Sequence, residues 1–246
     1  MPGATVNIAK SVTINCEGAI GGVQAGGGTV GINVNVTAND VVYLRGLDII
    51  GTSNGVSRIS LVQAGVLHVE HCLIHNFHFG AASGIAVAAT GQSRLFVSDS
   101  FITDNGNGIL IRPIGSGVVN AVVKQVHLET NGVGLGVDGT ASTGKVTLSL
   151  VDSVAAGNGS GNLGVAVVTN GAKGIANVMI NRASLSGSLV GLRATGPKAT
   201  VRIGNFDISG NATGVASVSG GILQSYGNNQ LNGNNSDGTM TTIATH

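Results

Sequence analysis

Apolar and polar positions alternate along this chain in short runs, and glycine or asparagine cuts each run. The stretch "FITDNGNGILI" (101–111) shows the pattern. Val97, Ile102 and Asn105 are spaced by five and then three residues. The same spacing recurs at Val123, Leu128, Asn131 and at Leu150, Ala155, Asn158. It returns at Ile180, Leu185, Ser188, at Ile203, Ile208, Asn211 and at Tyr226, Leu231, Asn234. Leu44, Ile49, Thr52 and Val69, Ile74, Phe77 extend it toward the N-terminus. From Leu44 to Tyr226 is 182 residues over seven steps, a mean period of 26. A period of that length marks stacked structural repeats.

After the asparagine position comes a glycine: Gly55, Gly84, Gly108, Gly134, Gly164, Gly191 or Gly214. An alternating pair such as Ile85/Val87, Ile109/Ile111, Leu135/Val137 or Val165/Val167 follows it, which predicts a half-buried strand. Insertions fall after the asparagine or between this strand and the next repeat. Five-then-three spacing does not trace a helical face, and interior glycines disfavour helices by ~1 kcal/mol each relative to alanine. The pattern therefore predicts an all-β, single-domain parallel β-solenoid of about 8–9 coils, ~4.8 Å apart as strands are. The domain reading is an irregular first coil over 1–30, repeats over 31–235 and a tail over 236–246.

Two internal files of side chains follow from this reading. One holds Leu44, Val69, Val97, Val123, Leu150, Ile180, Ile203 and Tyr226. The other holds Ile49, Ile74, Ile102, Leu128, Ala155, Leu185, Ile208 and Leu231. Asn105, Asn131, Asn158, Asn211 and Asn234 form an asparagine ladder, with the bend's left-handed backbone assigned to the asparagine and its following glycine. A leucine-rich repeat is the competing fold, since Val97, Ser100, Ile102 and Asn105 fit its template loosely. Its middle position here is rarely leucine.

The N-x-x-G-[IVL] spacing followed by further short strands resembles the right-handed parallel β-helix of the pectate-lyase-like superfamily. Stretches such as "SVTINCEGAIGGV" (11–23), "NDVVYLRGLDIIG" (39–51) and "LHVEHCLIHNF" (67–77) are similar to a group of uncharacterised bacterial β-helix repeat proteins. The resemblance covers about residues 5–235. It implies a right-handed winding, an extracellular or periplasmic location, and a secretion signal and further segment ahead of the part read here. This start, "MPGATVNIAK", has no signal-peptide pattern.

Composition narrows the function. The 246 residues include 41 glycines, 7 aromatic rings (5 Phe and 2 Tyr) and no tryptophan, with 9% charged side chains against about 25% in ordinary soluble domains. Ample apolar content with little charge excludes disorder. A net charge of +1 without basic runs gives no nucleic-acid footprint, and no apolar stretch reaches the ~18 residues of a membrane-spanning helix. Cys16 and Cys72 lack CxxC spacing and read as inert small side chains. No cofactor is implied.

The enzymes that the resemblance brings to mind cut acidic polysaccharides, but the NTD, DD, GHG and RIK signatures, W-x-D-H and R-x-P-x-x-R are missing. Three candidate sites come from coil alignment. Asp99 and Asp152, two coils and roughly 9.5 Å apart, stand near the upper separation of an inverting glycosidase pair. Arg182 or His71 would then bind an anionic sugar, or Asp152 and Arg182 form a simple ion pair. In "HVEHCLIHNFHF", His68, Glu70 and His71 are candidate metal ligands, with His75 and His78 nearby. Glu70 can instead pair with Arg45 one coil earlier. Third, in the outward file Asn33, Ser57, Ala86, Leu110, Gly136, Ala166, Arg193 and Ala216, the middle from Ala86 to Ala166 is small and uncharged and suggests homo-oligomerisation. The leading expectation is a non-enzymatic structural or surface-binding solenoid. The alternatives are a polysaccharide lyase or glycoside hydrolase using the aspartates, and a carbohydrate-binding module.

Overall fold

The computed structural model describes residues 5–26, 28–52, 57–78, 82–159, 163–171 and 173–244. Among these, every regular element is a strand, and the strands stack in parallel as a β-solenoid of about 8 turns. Three sheets wrap the core. Sheet 1 has nine strands from Val6–Ile8 to Thr213–Val218, and sheet 2 has ten from Val12–Asn15 to Thr241–Thr242. Sheet 3 has nine, from Gly21–Ala25 to Gln230–Leu231. Successive turns contribute strands to the three sheets in rotation, so strands paired within a sheet come from neighbouring turns.

The internal files stack as their spacing requires. In sheet 2, Leu44, Val69, Val97, Val123, Leu150, Ile180 and Ile203 are successive partners. In sheet 3 the file from Ile49 to Leu231 is continuous. Ile14 and Val23 carry both files into the first coil. Nearly all of these side chains are fully buried, and each contributes roughly 1.5–3 kcal/mol. The last rung differs from the expected one: Ser225, not Tyr226, lies on Ile203. An extra residue at the following corner absorbs the offset and returns Leu231 to its file. In sheet 1, Ser60 takes the outward place assigned to Ser57, between Asn33 and Ala86. Gly55 lies outside the described residues.

Left-handed backbone recurs at two corners of the described turns. Between sheets 2 and 3, positive φ falls on Gly46, His71, Asp99, Gln125, Asp152, Arg182 and Asn205, at 49–62°. Between sheets 3 and 1 it falls on Asn76, Asp104, Thr130, Gly157, Gly187, Gly210 and Gly233. These residues precede the asparagine ladder, so neither the ladder asparagines nor the glycines after them provide the left-handed bend. Those glycines serve another purpose. A Cβ on Gly134 would stand 2.6 Å from the carbonyl oxygen of Gly164, and one on Gly108 2.5 Å from that of Gly134. The glycines are required because the next turn's backbone occupies the space of a side chain.

The ladder itself is buried: Asn105 is 3% exposed, and Asn131 and Asn158 are fully enclosed. Asn105 Nδ2 donates to Asn131 Oδ1 (3.0 Å), and Asn131 Nδ2 to Asn158 Oδ1 (3.4 Å). The backbone N–H of Asn105 and of Asn131 donates to the same acceptors. Each Nδ2 also donates backward, Asn131 to Ile102 O at 2.8 Å and Asn158 to Leu128 O at 2.9 Å. Ser188 interrupts the series. It resumes at Asn211, whose Nδ2 donates to Asn234 Oδ1 (3.0 Å), and ends where Asn234 Nδ2 donates to Asp237 (2.9 Å). At the other end Phe77 takes the next rung, leaving Asn105 Oδ1 buried without a partner.

Replacing Asn131 by alanine leaves Asn105 N without its acceptor, removes one of the three acceptors of Asn105 Nδ2 and takes a donor from Ile102 O. We expect a loss of about 1–3 kcal/mol, the cost of a buried group left unpaired, read as a lower urea midpoint. Gly134→Ala should cost about 1–3 kcal/mol through overpacking. Unchanged midpoints for both would show that the turns are not held in this register.

Candidate functional site

Three outward regions hold the polar chemistry. The first is the N-terminal half of sheet 2. Its strands alternate, so one file points outward: Tyr43, His68, Phe96, Val122, Ser149, Met179, Arg202 and Gln224. The rings of Tyr43 and His68 stack at 4.3 Å and those of His68 and Phe96 at 4.7 Å. Arg45 lies 4.9 Å from the Tyr43 ring centre and pairs with Glu70, Nε to Oε2 at 2.7 Å. His68 Nδ1 stands 3.3 Å from Glu70 Oε1. His68 and Glu70, two of the candidate metal ligands, are therefore together. His71 is not with them. It sits at the corner with φ 53° and meets Glu17 at 2.6 Å. His75 faces Asp48 at 3.0 Å, and His78 faces Asn76 at 3.0 Å. Among the described residues no three His, Cys, Asp or Glu side chains converge as metal ligands do.

The second region is the corner between sheets 2 and 3, which holds Asp99, Asp152 and Arg182. All three belong to the left-handed column, with φ of 50°, 52° and 49°. The turn thus places them, and asparagine, aspartate and glycine are the residue types that tolerate that backbone best. Their N–H groups donate to the next turn, Asp99 to Lys124 O, Asp152 to Asn181 O and Arg182 to Gly204 O, each at 3.2 Å. Asp152 is held by Arg182 through two hydrogen bonds of 2.6 and 3.0 Å. That guanidinium lowers the Asp152 carboxyl from its ordinary range. Gln125 occupies the turn between Asp99 and Asp152. The structure brings Arg182 to Asp152 but does not bring Asp99 to either. An acid held ionised by an arginine is poorly suited to protonate a leaving group.

The third region, which the five-then-three pattern does not reveal, is a groove of about 630 Å³ over the C-terminal turns of sheet 2. Met179, Arg202 and Gln224 form its floor, with Tyr226 beside them. Gly204 makes room for that ring: a Cβ there would stand 3.2 Å from Tyr226 Cδ2. Asn181, Asn205 and Asn228 line one margin as a second, exposed amide ladder. Asn205 Nδ2 donates to Asn181 Oδ1 (3.2 Å), and Asn228 Nδ2 to Asn205 Oδ1 (3.0 Å). Asn228 is the extra residue of the last corner, while Gly227, at φ 83°, takes the left-handed place. Ile243 and Ala244 close the far side. Gln224 Oε1 is shielded from solvent and accepts no hydrogen bond.

The chain matches no family model, no curated protein and no solved structure. What the molecule does must be argued from these three regions.

His68 gives the first region a pH signature. Desolvation between its neighbouring rings lowers its pKa, against the opposing pull of Glu70. The unfolded chain then takes up this proton at about pH 6.5 while the folded chain still refuses it. Stability should be complete above that pH and fall as pH drops below it. His68→Phe should flatten this loss as pH falls below about 6.5 in denaturant titrations. An identical slope in wild type and variant would refute the assignment.

Proposed function

We propose that the protein is a non-catalytic β-solenoid that presents a rigid surface for binding. The observation that carries this reading is the state of the candidate catalytic aspartates. They occupy corner positions set by the backbone, one is neutralised by Arg182, and the other stands apart from it. The internal files and the ladder make a stiff support, and its outward sheet 2 face offers rings at one end and amides at the other.

A right-handed, pectate-lyase-like β-helix working outside the cytoplasm belongs to the same proposal. Its supports are the general right-handedness of crossovers between parallel strands of one sheet and the resemblance of the repeat motifs. The small outward file of sheet 1, Ala86, Leu110, Gly136 and Ala166, makes self-association a natural companion of such a scaffold.

Incubation with a panel of acidic and neutral polysaccharides should release neither new reducing ends nor unsaturated products. Turnover by the wild type that disappears in both Asp99→Ala and Asp152→Ala would overturn the non-catalytic reading.

A further inference from the structure

Asparagine stands directly before glycine seven times in this chain. That dipeptide carries a latent reaction. The glycine's backbone nitrogen can attack the asparagine side-chain carbon, because glycine has no Cβ to block the approach. The nitrogen loses its proton as it bonds to Cγ, the Cγ–Nδ2 bond breaks, and the amide nitrogen leaves as ammonia. Water then opens the resulting cyclic imide at either carbonyl, leaving aspartate or isoaspartate. The reaction needs a free glycine N–H, a side-chain amide able to turn onto it, and access to water.

The fold withholds these conditions from the asparagine ladder. Asn105, Asn131 and Asn158 are each followed by glycine, and all three are buried. The N–H of Gly106 donates to Phe77 O and that of Gly132 to Asn105 O, both at 2.8 Å, and that of Gly159 to Asn131 O at 3.0 Å. Their side-chain amides are fixed by bonds to Thr103 O, Ile102 O and Leu128 O in turn. Asn107 lies in the strand Asn107–Ile111, whose extended backbone is paired on both sides. Asn170 is exposed, but its Oδ1 accepts from Lys173 N at 3.1 Å and its Nδ2 donates to Thr140 O at 3.4 Å. Asn54 lies outside the described residues.

Asn232–Gly233 is built differently. Both residues are exposed, at the corner after the last strand of sheet 3. Among the described residues nothing hydrogen-bonds to the Asn232 side chain or to the Gly233 N–H. The bonds at this corner run through the carbonyls, Asn232 O accepting from Asn234 Nδ2 and Gly233 O from Gly210 N.

We propose that Asn232 is the site at which this protein spontaneously deamidates and forms isoaspartate, while folding keeps the three ladder dipeptides unreactive. The place of the modification gives it a structural effect. Isoaspartate routes the chain through Cβ and adds a backbone atom between Leu231, the last rung of its file, and Asn234, the last asparagine of the ladder. Asn211 N and Nδ2 both donate to Asn234 Oδ1, at 2.9 and 3.0 Å, and depend on that spacing. Modification therefore loosens the C-terminal turn first.

The test is incubation of the whole chain in mildly alkaline buffer, natively and in urea above its unfolding midpoint. Peptide mass spectrometry, with fragmentation that separates aspartate from isoaspartate, reads each asparagine. Natively, Asn232 should convert first while Asn105, Asn131 and Asn158 stay intact. In urea the ladder sites should convert at least about a hundredfold faster than natively, the scale of opening a core turn, whereas Asn232 should change rate by less than about threefold. Converted wild type should melt at a lower temperature than fresh protein. Equally aged Asn232→Gln, whose longer side chain closes such a ring far more slowly, should not. Asn232 intact after native incubation, or a ladder asparagine converting natively as fast as Asn232, would overturn the proposal. So would an equal fall in melting temperature in aged Asn232→Gln.

Discussion

Everything in this molecule depends on the return of each turn to the register of the one before. Parallel strands hydrogen-bond only at their own narrow spacing, so a turn that ends one residue out of step would rotate its apolar side chains to the outside. Two devices enforce the return. The left-handed corners redirect the chain while their N–H groups stay bonded to the neighbouring turn. Glycines such as Gly108 and Gly134 then let successive backbones approach where a methyl group would collide. The aliphatic files supply the driving force, but these polar and steric details decide that it is satisfied by one arrangement.

The same constraint limits what the outward chemistry means. A corner that demands positive φ enriches for aspartate, asparagine and glycine whatever the protein does. Asp99, Asp152 and Arg182 therefore align down the rod for a conformational reason, and their alignment carries little information about catalysis. Sheet 2 is another matter. Outward strand positions accept many side chains, so an unpaired arginine or a stacked Tyr43–His68–Phe96 series there is not dictated by the backbone.

The fold was largely legible in the sequence because aliphatic residues at five-then-three spacing report the interior directly. Ile102, Leu128 and Leu185 could hardly be read otherwise. Errors arose where loop length intervened or where two forces favour the same residue. Tyr226 drew the last rung away from Ser225 because the larger apolar side chain looked the better core residue. Counting from Gly55 points to Ser57, but it does so across a connection whose length varies. The glycines after the ladder fit a positive-φ role and a close-approach role equally well on paper, and only the stacked backbones distinguish them. The pairings of Glu70 with Arg45 and of Asp152 with Arg182 followed from coil alignment. The groove did not, since Asn228 is out of step with the repeat and Ile243–Ala244 lie beyond it.

The buried asparagine ladder has a direction, because wherever one of its amides donates to another, as from Asn105, Asn131 and Asn211, the acceptor lies on the next turn toward the C-terminus. Such a chain of donors needs a terminus that only accepts, and Asp237 provides one. The terminating piece is thus chemically separate from the rungs it follows. Whole turns could be added or removed between Asn131 and Asn158 without altering either terminus, so the rod's length is adjustable in single-turn increments while the direction of the series stays fixed.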